Sequence, residues 1–330
     1  MSTPRTPPEW APQSAIWLGW PSRLDLWEAD LIGAREEVVG LVRALAPRVR
    51  VKVAASSDAA AQSARAAIGS DADVRIIPMG DIWLRDTGPV FAVEDGRLVA
   101  QSFVMNGWGG KFILDGDAET AAALAREEGA PRCGHDFVLE GGAIEQDGAG
   151  RLITTRQCLL NPNRNPGWDE AAAEAALRGA FGVRDVIWLD QGLLGDHTDG
   201  HVDNIARFIG PGRVVCQAPL GLDDPNAKTL AAIERDLRAT GLEVHTLPSP
   251  GRVDTIDGEP APASHLNFVM ANRLIVVPVY ETDASAHAVA ALRRLCPGHD
   301  VTALPAKHVL TGGGAFHCLT QHVPAVKRLE

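Results

Sequence analysis

Alanine-rich stretches in which apolar residues return every three or four positions alternate along the chain with short β-branched runs. The helical pattern covers residues 27–46, 58–68, 118–128, 169–181, 226–240 and 284–295. Most of these lead into a β-branched run. The runs read VRVKVAA, VRIIPM, DVIWLD, LEVHTLPS and HDVTALPA, and each predicts a strand. Several are followed by a polar motif and further strands closed by the turns EDGR, DGAGR and GPGR. The recurring unit reads as helix, strand, motif strand and return strand.

Each motif strand is marked by the polar residue that interrupts it. These are Asp86 in WLRDTGPVFAV, Glu140 in FVLEGGAIEQ, His201 in DGHVDNIARFI, Asn267 in SHLNFVMA and Cys318 in GGGAFHCLTQ. They recur roughly every 50 to 65 residues, the mark of a radially repeated α/β fold. Five units fill the chain, so six helices leave one over. The apolar run SAIWLGWP has no helix before it and is expected to supply a strand to the last unit, closing the ring. In such a ring equivalent positions converge on the axis, which gathers Asp86, Glu140, His201, Asp203 and Cys318 in one pocket. His201 and Asp203, two apart on a strand, are expected on one face.

Composition limits what that pocket can be. A chain of 330 residues with 45% hydrophobic content buries a large core without staples. The five cysteines, Cys133, Cys158, Cys216, Cys296 and Cys318, are scattered, odd in number and free of CxxC pairs, so no disulfide framework is expected. No linker divides the chain, and residues 1–330 read as one catalytic domain. No apolar run reaches the ~18 residues of a membrane span, and MSTPRTPPEWAP lacks the build of a signal peptide, so the cytoplasm is the expected compartment. A formal charge of −11 argues against nucleic acid and suits a cationic ligand, although acidic surfaces also serve solubility.

The stretch TGGGAFHCLTQ runs three glycines toward Cys318. Glycines tolerate close backbone approach, so this thiol is the candidate nucleophile, whereas the other cysteines read as small buried hydrophobes. A thiol can attack an electrophilic carbon, and His201 can protonate a leaving group and then deprotonate water. The further carboxylates suit a guanidinium, a planar cation whose N–H pairs match carboxylates. HTDGH would offer His197 and His201 as zinc ligands if it were helical, which keeps a metal-dependent hydrolase as an alternative; Asp199 and Gly200 favour a turn instead. Trp10, Trp17 and Trp20 read as core. Trp108, between glycines, reads either as core or as a lid stacked over substrate. His317 and His322 read as structural or surface residues. A non-catalytic binding protein on the same fold is the other alternative.

The motifs EWAPQSAIWLGWP, DIWLRDTGPVF, NGWGG, LEGGAIEQDGAGRLITTRQCLLNPNRNP, GDHTDGHVDNIARF and GGGAFHCLTQ occur in this order over nearly the whole chain. Together they resemble the agmatine deiminase, or Porphyromonas-type peptidylarginine deiminase, family of the guanidine-modifying (pentein) superfamily. The resemblance implies a five-bladed α/β propeller of ββαβ units with pseudo-fivefold symmetry, needing no metal or organic cofactor. It implies hydrolysis of agmatine to N-carbamoylputrescine and ammonia through an amidino-cysteine intermediate, with free or peptidyl arginine as alternative substrates and a homodimer as a compatible assembly. Residue by residue, Cys318 resembles the nucleophile and His201 the general acid and base. Glu140 resembles the acid that orients the histidine, and Asp86 and Asp203 those that grip the guanidinium. Trp108, Gly313 and Gly314 are expected against the substrate. Ala315 and Phe316 depart from the usual motif, which removes a polar group near the nucleophile, and KFILDGD after Trp108 is poor in aromatics.

Overall fold

A computed structural model describes residues 3–255 and 258–326. In chain order its strands are β1 (Gln13–Gly19), β2 (Arg50–Ala55), β3 (Asp73–Ile76), β4 (Val90–Glu94), β5 (Arg97–Val104), β6 (Arg132–Val138), β7 (Glu145–Gln146) and β8 (Arg151–Thr155). They continue with β9 (Asp185–Leu189), β10 (Ala206–Gly210), β11 (Arg213–Ala218), β12 (Glu243–Pro248), β13 (Val269–Ala271), β14 (Leu274–Val279), β15 (Asp300–Pro305) and β16 (Thr320–Pro324).

Among the described residues these strands form five sheets, ordered β16-β1-β2-β3, β4-β5-β6, β7-β8-β9, β10-β11-β12 and β13-β14-β15. The three-stranded sheets share one topology. Their first two strands pair antiparallel, and the second and third pair parallel. Antiparallel neighbours need only a tight turn, and the turns are chemically suited to it. Asp95 and Gly96 take φ of 47° and 77° between β4 and β5, and Gly212 takes 67° after Pro211 between β10 and β11. Parallel neighbours need a long crossover, which the helices Asp117–Glu127, Glu170–Phe181, Ala227–Ala239 and Asp283–Leu295 supply.

The sixth helix is real. The first sheet carries two parallel crossovers, through helices Leu31–Leu45 and Asp58–Ile68, and the extra helix brings the extra strand β3. The ends of the chain meet in this sheet, where β1 pairs antiparallel with β16. Helix starts follow local chemistry. Ser57 accepts from the Ala60 N–H and Asp169 from that of Ala172, and Gly182 in the left-handed region ends the helix Glu170–Phe181. Each helix covers its sheet with an apolar stripe. Leu230, Ile233 and Leu237 are buried with Phe208, Val214 and Val244, each such side chain contributing about 1.5–3 kcal/mol. Trp17 and Trp20 are fully buried in the largest core. Among the described residues no helix is long and apolar enough to cross a membrane.

Candidate active site

The five polar residues that mark the repeats do not lie within strands; each occupies the turn that enters the first strand of its sheet. Asp86 is in the helical turn Leu84–Thr87 before β4, and Glu140 precedes the 3-10 turn Gly141–Ala143 before β7. His201 precedes the 3-10 turn Val202–Asn204, which contains Asp203, before β10. Asn267 and Cys318 stand just before β13 and β16. At His201 the break has a local cause: Asp199 and Gly200 just before it take φ of 65° and 85°, outside the extended region. The strand argument for His201 and Asp203 therefore fails, yet both reach one centre. A methyl on Gly142 would lie 2.6 Å from His201 Nδ1, 3.0 Å from Asp86 Oδ1 and 3.1 Å from Asp203 Oδ2.

Asp86, Glu140, His201, Asp203 and Cys318 are all buried. Asp86 accepts from the Gly142 N–H through Oδ1 and from Trp108 Nε1 through Oδ2, both at 2.9 Å. Burial drives its carboxyl up to about 6 against the pull of His201, with Asp203 and Glu140 adding to the rise. His201 lies between two acids, Nδ1 at 3.7 Å from Asp86 Oδ2 and Nε2 at 3.9 Å from Glu140 Oε2. Neither ring nitrogen has a hydrogen-bond partner. Burial opposes its charge, but Asp86, then Cys158 and Glu140, outweigh burial and hold the imidazole well above its ordinary value.

Glu140 is fixed by Arg164, whose Nε donates to Oε1 at 2.6 Å. Burial opposes ionisation of Glu140, and His201 and Arg164 overcome it, holding the carboxyl below its usual range. Arg164 also donates to Asp199 Oδ2 and the Thr198 carbonyl, and Lys111 donates to Asp199 Oδ1 at 2.5 Å. Asp203 Oδ2 meets His317 Nδ1 at 2.7 Å and accepts from Cys318 Sγ at 3.5 Å, while Oδ1 is buried without a partner. Burial works against its charge, and the His317 hydrogen bond keeps it low. For Cys318 burial, then Asp203 and Asp86, push the thiol far up.

Cys318 and Asp86 line a cavity of about 170 Å³ with Trp27, Asp81, Trp83, Trp108, Phe112, Leu114, His197 and Gly312 to Gly314. Trp27 donates to Asp81 at 2.9 Å and stacks on Trp83 with centroids 6.0 Å apart. Trp108 takes φ 52°, and Gly107 and Gly109 beside it take 69° and 79°, a bend that turns the indole onto Asp86. Gly314 is packed against the nucleophile, since a methyl there would lie 3.0 Å from Cys318 Cβ and 2.7 Å from Trp83; Gly313 has φ 101°. Both glycines line the cavity.

Sequence reasoning did not single out Trp27, Asp81, Trp83 and Gly142; of its two readings for His317 the surface one is excluded, since the residue is buried and bonds Asp203. The glycine pair in LEGG was the available sign for Gly142. His197 is exposed, and HTDGH is not helical, with Asp199 and Gly200 at φ 65° and 85°, so the pair His197 and His201 does not share a helix face. Among the described residues the ligand atoms that do cluster are those of Glu140, Cys158 and His201, mutually within 4.8 Å. The Arg164 guanidinium on Glu140 competes with any cation there.

The family described as Porphyromonas-type peptidyl-arginine deiminase matches residues 5–324. Agmatine deiminase of Stutzerimonas stutzeri is 38% identical over 98% of this chain and 98% of that protein. Among solved structures, agmatine deiminase of Enterococcus faecalis aligns with a TM-score of 0.92 at 28% identity over 98% of both chains. A cysteine-to-serine variant of C. jejuni agmatine deiminase with substrate bound aligns with a TM-score of 0.92 at 28% identity, over 98% of this chain and 97% of that one.

Proposed function

The chain belongs to the Porphyromonas-type peptidyl-arginine deiminase family, and we propose that Cys318 carries its hydrolysis of agmatine to N-carbamoylputrescine and ammonia. The activity is agmatine deimination. One observation carries the residue roles: Cys318 lines a cavity with Asp86, and beside its Sγ Asp203 holds a buried oxygen, Oδ1, with no partner. A guanidinium N–H is the natural donor for that oxygen.

Asp86 and Asp203 grip the guanidinium and present its carbon to Sγ. The substrate's charge offsets the two acids that otherwise oppose a thiolate, so the Cys318 thiol releases its proton to solvent as the site fills and reacts as the thiolate. Sulfur attacks the carbon to give a tetrahedral adduct. His201, held charged by the acids around it, protonates the departing nitrogen, ammonia leaves, and an amidino-thioether remains. The now neutral imidazole takes a proton from water, whose oxygen attacks the same carbon. The C–S bond breaks, the ureido product forms and Cys318 is regenerated. Glu140, anchored by Arg164, holds His201 in place. Trp108 and the glycines 313 and 314 enclose the substrate.

The five sheets of like topology, with β1 and β16 joining the chain ends, support a five-bladed arrangement with pseudo-fivefold symmetry about this site, in one catalytic domain. Five unpaired cysteines support a reducing compartment, the cytoplasm. The test is acid quenching during turnover followed by peptide mass analysis. The peptide carrying Cys318 should gain the mass of agmatine less ammonia; an unmodified peptide throughout turnover would remove the covalent route.

A further inference from the structure

Asn267 is the marker residue of the fourth repeat, and no part of the chemistry above uses it. It is fully buried beside the nucleophile. Its Oδ1 accepts from the backbone N–H groups of His317, at 2.9 Å, and Cys318, at 3.2 Å. Its Nδ2 faces Asn204 Oδ1 at 2.8 Å and Cys318 Sγ at 3.0 Å. These contacts fix the orientation of the amide. Backbone N–H groups can only donate, so the oxygen must be the atom that meets them, and the nitrogen must be the one that meets sulfur. The two Nδ2 hydrogens then have one acceptor each.

Asn204 is held in turn. Its backbone carbonyl accepts from Ser264 Oγ at 2.7 Å and from Gln217 Nε2 at 3.3 Å, so the group that receives the second hydrogen of Asn267 sits on a fixed backbone. Among the described residues the other side chain bonded to Sγ is an acid, Asp203, whose Oδ2 lies 3.5 Å away. An acid can accept the thiol proton but cannot stabilise a thiolate.

We infer that Asn267 is a further catalytic residue, whose side-chain N–H stabilises the Cys318 thiolate when sulfur attacks and again when it departs. A hydrogen bond to an ionised acceptor is roughly twice as strong as one to a neutral acceptor, so this contact strengthens as charge develops on sulfur. The backbone hydrogen bonds to Oδ1 set where sulfur sits, and the Nδ2 contact sets its charge.

The inference rests on Cys318 being the nucleophile of the proposed reaction, and its test separates the two. Asn267→Asp keeps an acceptor for both backbone N–H groups and replaces the Nδ2 donor, which serves both sulfur and Asn204 Oδ1, with an oxygen. With agmatine, kcat should fall about 100-fold while KM changes less than threefold. Independently of turnover, Cys318 is labelled with a haloacetamidine, a cationic electrophile shaped like a guanidinium, and the pH midpoint of labelling should rise by about one unit or more. A folded Asn267→Asp variant with wild-type kcat, or with an unchanged labelling midpoint, overturns the assignment. If that variant does not fold, Asn204→Ala decides. Loss of the second anchor lets the amide turn from sulfur, so the labelling midpoint should rise with a smaller loss of kcat, and an unmoved midpoint overturns the assignment. A wild-type protein that labels at Cys318 but releases no ammonia from agmatine would sink the reaction and leave the Asn267 assignment standing.

Discussion

His317 Nδ1 lies 2.7 Å from Asp203 Oδ2 and thereby fixes which oxygen of Asp203 is left for substrate, namely Oδ1. Asp203→Asn would keep an acceptor for His317 and turn amide hydrogens toward the guanidinium. The loss should be about 2–5 kcal/mol, or on the order of 30- to several thousand-fold in kcat/KM. Steady-state kinetics with agmatine check it, and a loss below tenfold would remove Asp203 from guanidinium binding.

Replacing Cys318 with serine leaves the cavity nearly unchanged and removes the soft nucleophile. Turnover should fall to background while agmatine still binds, because a hydroxyl in this acidic surrounding is far harder to ionise than a thiol. Calorimetric binding together with ammonia release measures both halves. Retained turnover in the serine variant would point away from sulfur as the attacking atom.

Gly142 offers a cleaner geometric probe, since its φ is not positive and alanine meets no backbone penalty there. The added methyl would press on His201, Asp86 and Asp203 together. Gly142→Ala should therefore cut kcat/KM by about 100-fold, the size of effect that a displacement near 1 Å causes. Thermal unfolding and kinetics on the same preparation give the answer, and normal kinetics in a folded variant would mean that these three side chains need not stand where they do.

The constellation was legible because repetition exposes it. Five polar interruptions at similar intervals marked five equivalent turns, and all five turned out to carry side chains at or beside the site. Their placement in strands was wrong because a hydrophobic run shows where a strand is but not where its entering turn ends; the adjoining glycines were the sign. The sixth helix could not be allotted from periodicity, since only the pairing of β2 with β3 reveals that one sheet has two crossovers. Trp27 was read as the start of one long helix; it ends a short helix, Leu24–Trp27, that a 3-10 turn separates from Leu31–Leu45, and its indole is held to Asp81. Arg164 and His317 owe their roles to partners distant in sequence, Glu140 and Asp203, so nothing local announced them. His317 and Asn267 stand beside recognised residues, and in both cases the side chain's partner, not its neighbourhood, defines what it does.

The acidic limb of the rate profile should belong to Asp86. Its carboxyl is pushed up to about 6, and gripping a cation requires the ionised form, so kcat/KM should rise with unit slope as pH increases and level off above about 6. Stability moves the other way through the same group. A carboxyl whose value is raised in the fold binds its proton more readily folded than unfolded. Its contribution is therefore greatest below about 4 and declines as pH rises through about 6. A logarithmic plot of kcat/KM between pH 5 and 8 measures the limb, and a flat profile across this range would mean that Asp86 is not the titrating group.

Substrate choice follows from where the cations are. Free arginine differs from agmatine by an α-carboxylate, so a site built for it needs a positive partner at the cavity. The four candidate cations near the motif residues are each already engaged. Arg85 pairs with Glu9, Lys111 with Asp199, Arg164 with Glu140 and Asp199, and Arg207 with Glu9 and Glu145. The LRDT segment is a helical turn, and Arg85 reaches Glu9, Gln321 and His322. The cavity is lined by Asp81 and Asp86 and, among the described residues, by no lysine or arginine. An added carboxylate would enter next to acids and lose its water without a partner. Agmatine should exceed free arginine by at least about 100-fold in kcat/KM, equivalent to roughly 2.7 kcal/mol of transition-state binding. Parallel assays with agmatine, free arginine and a peptide ending in arginine, reading ammonia and ureido product, test this. A rate with arginine within tenfold of that with agmatine would mean that one of these ion pairs opens to receive the carboxylate, and Lys111, whose side chain is the most exposed of the four in pairs beside the cavity, would be the first to mutate.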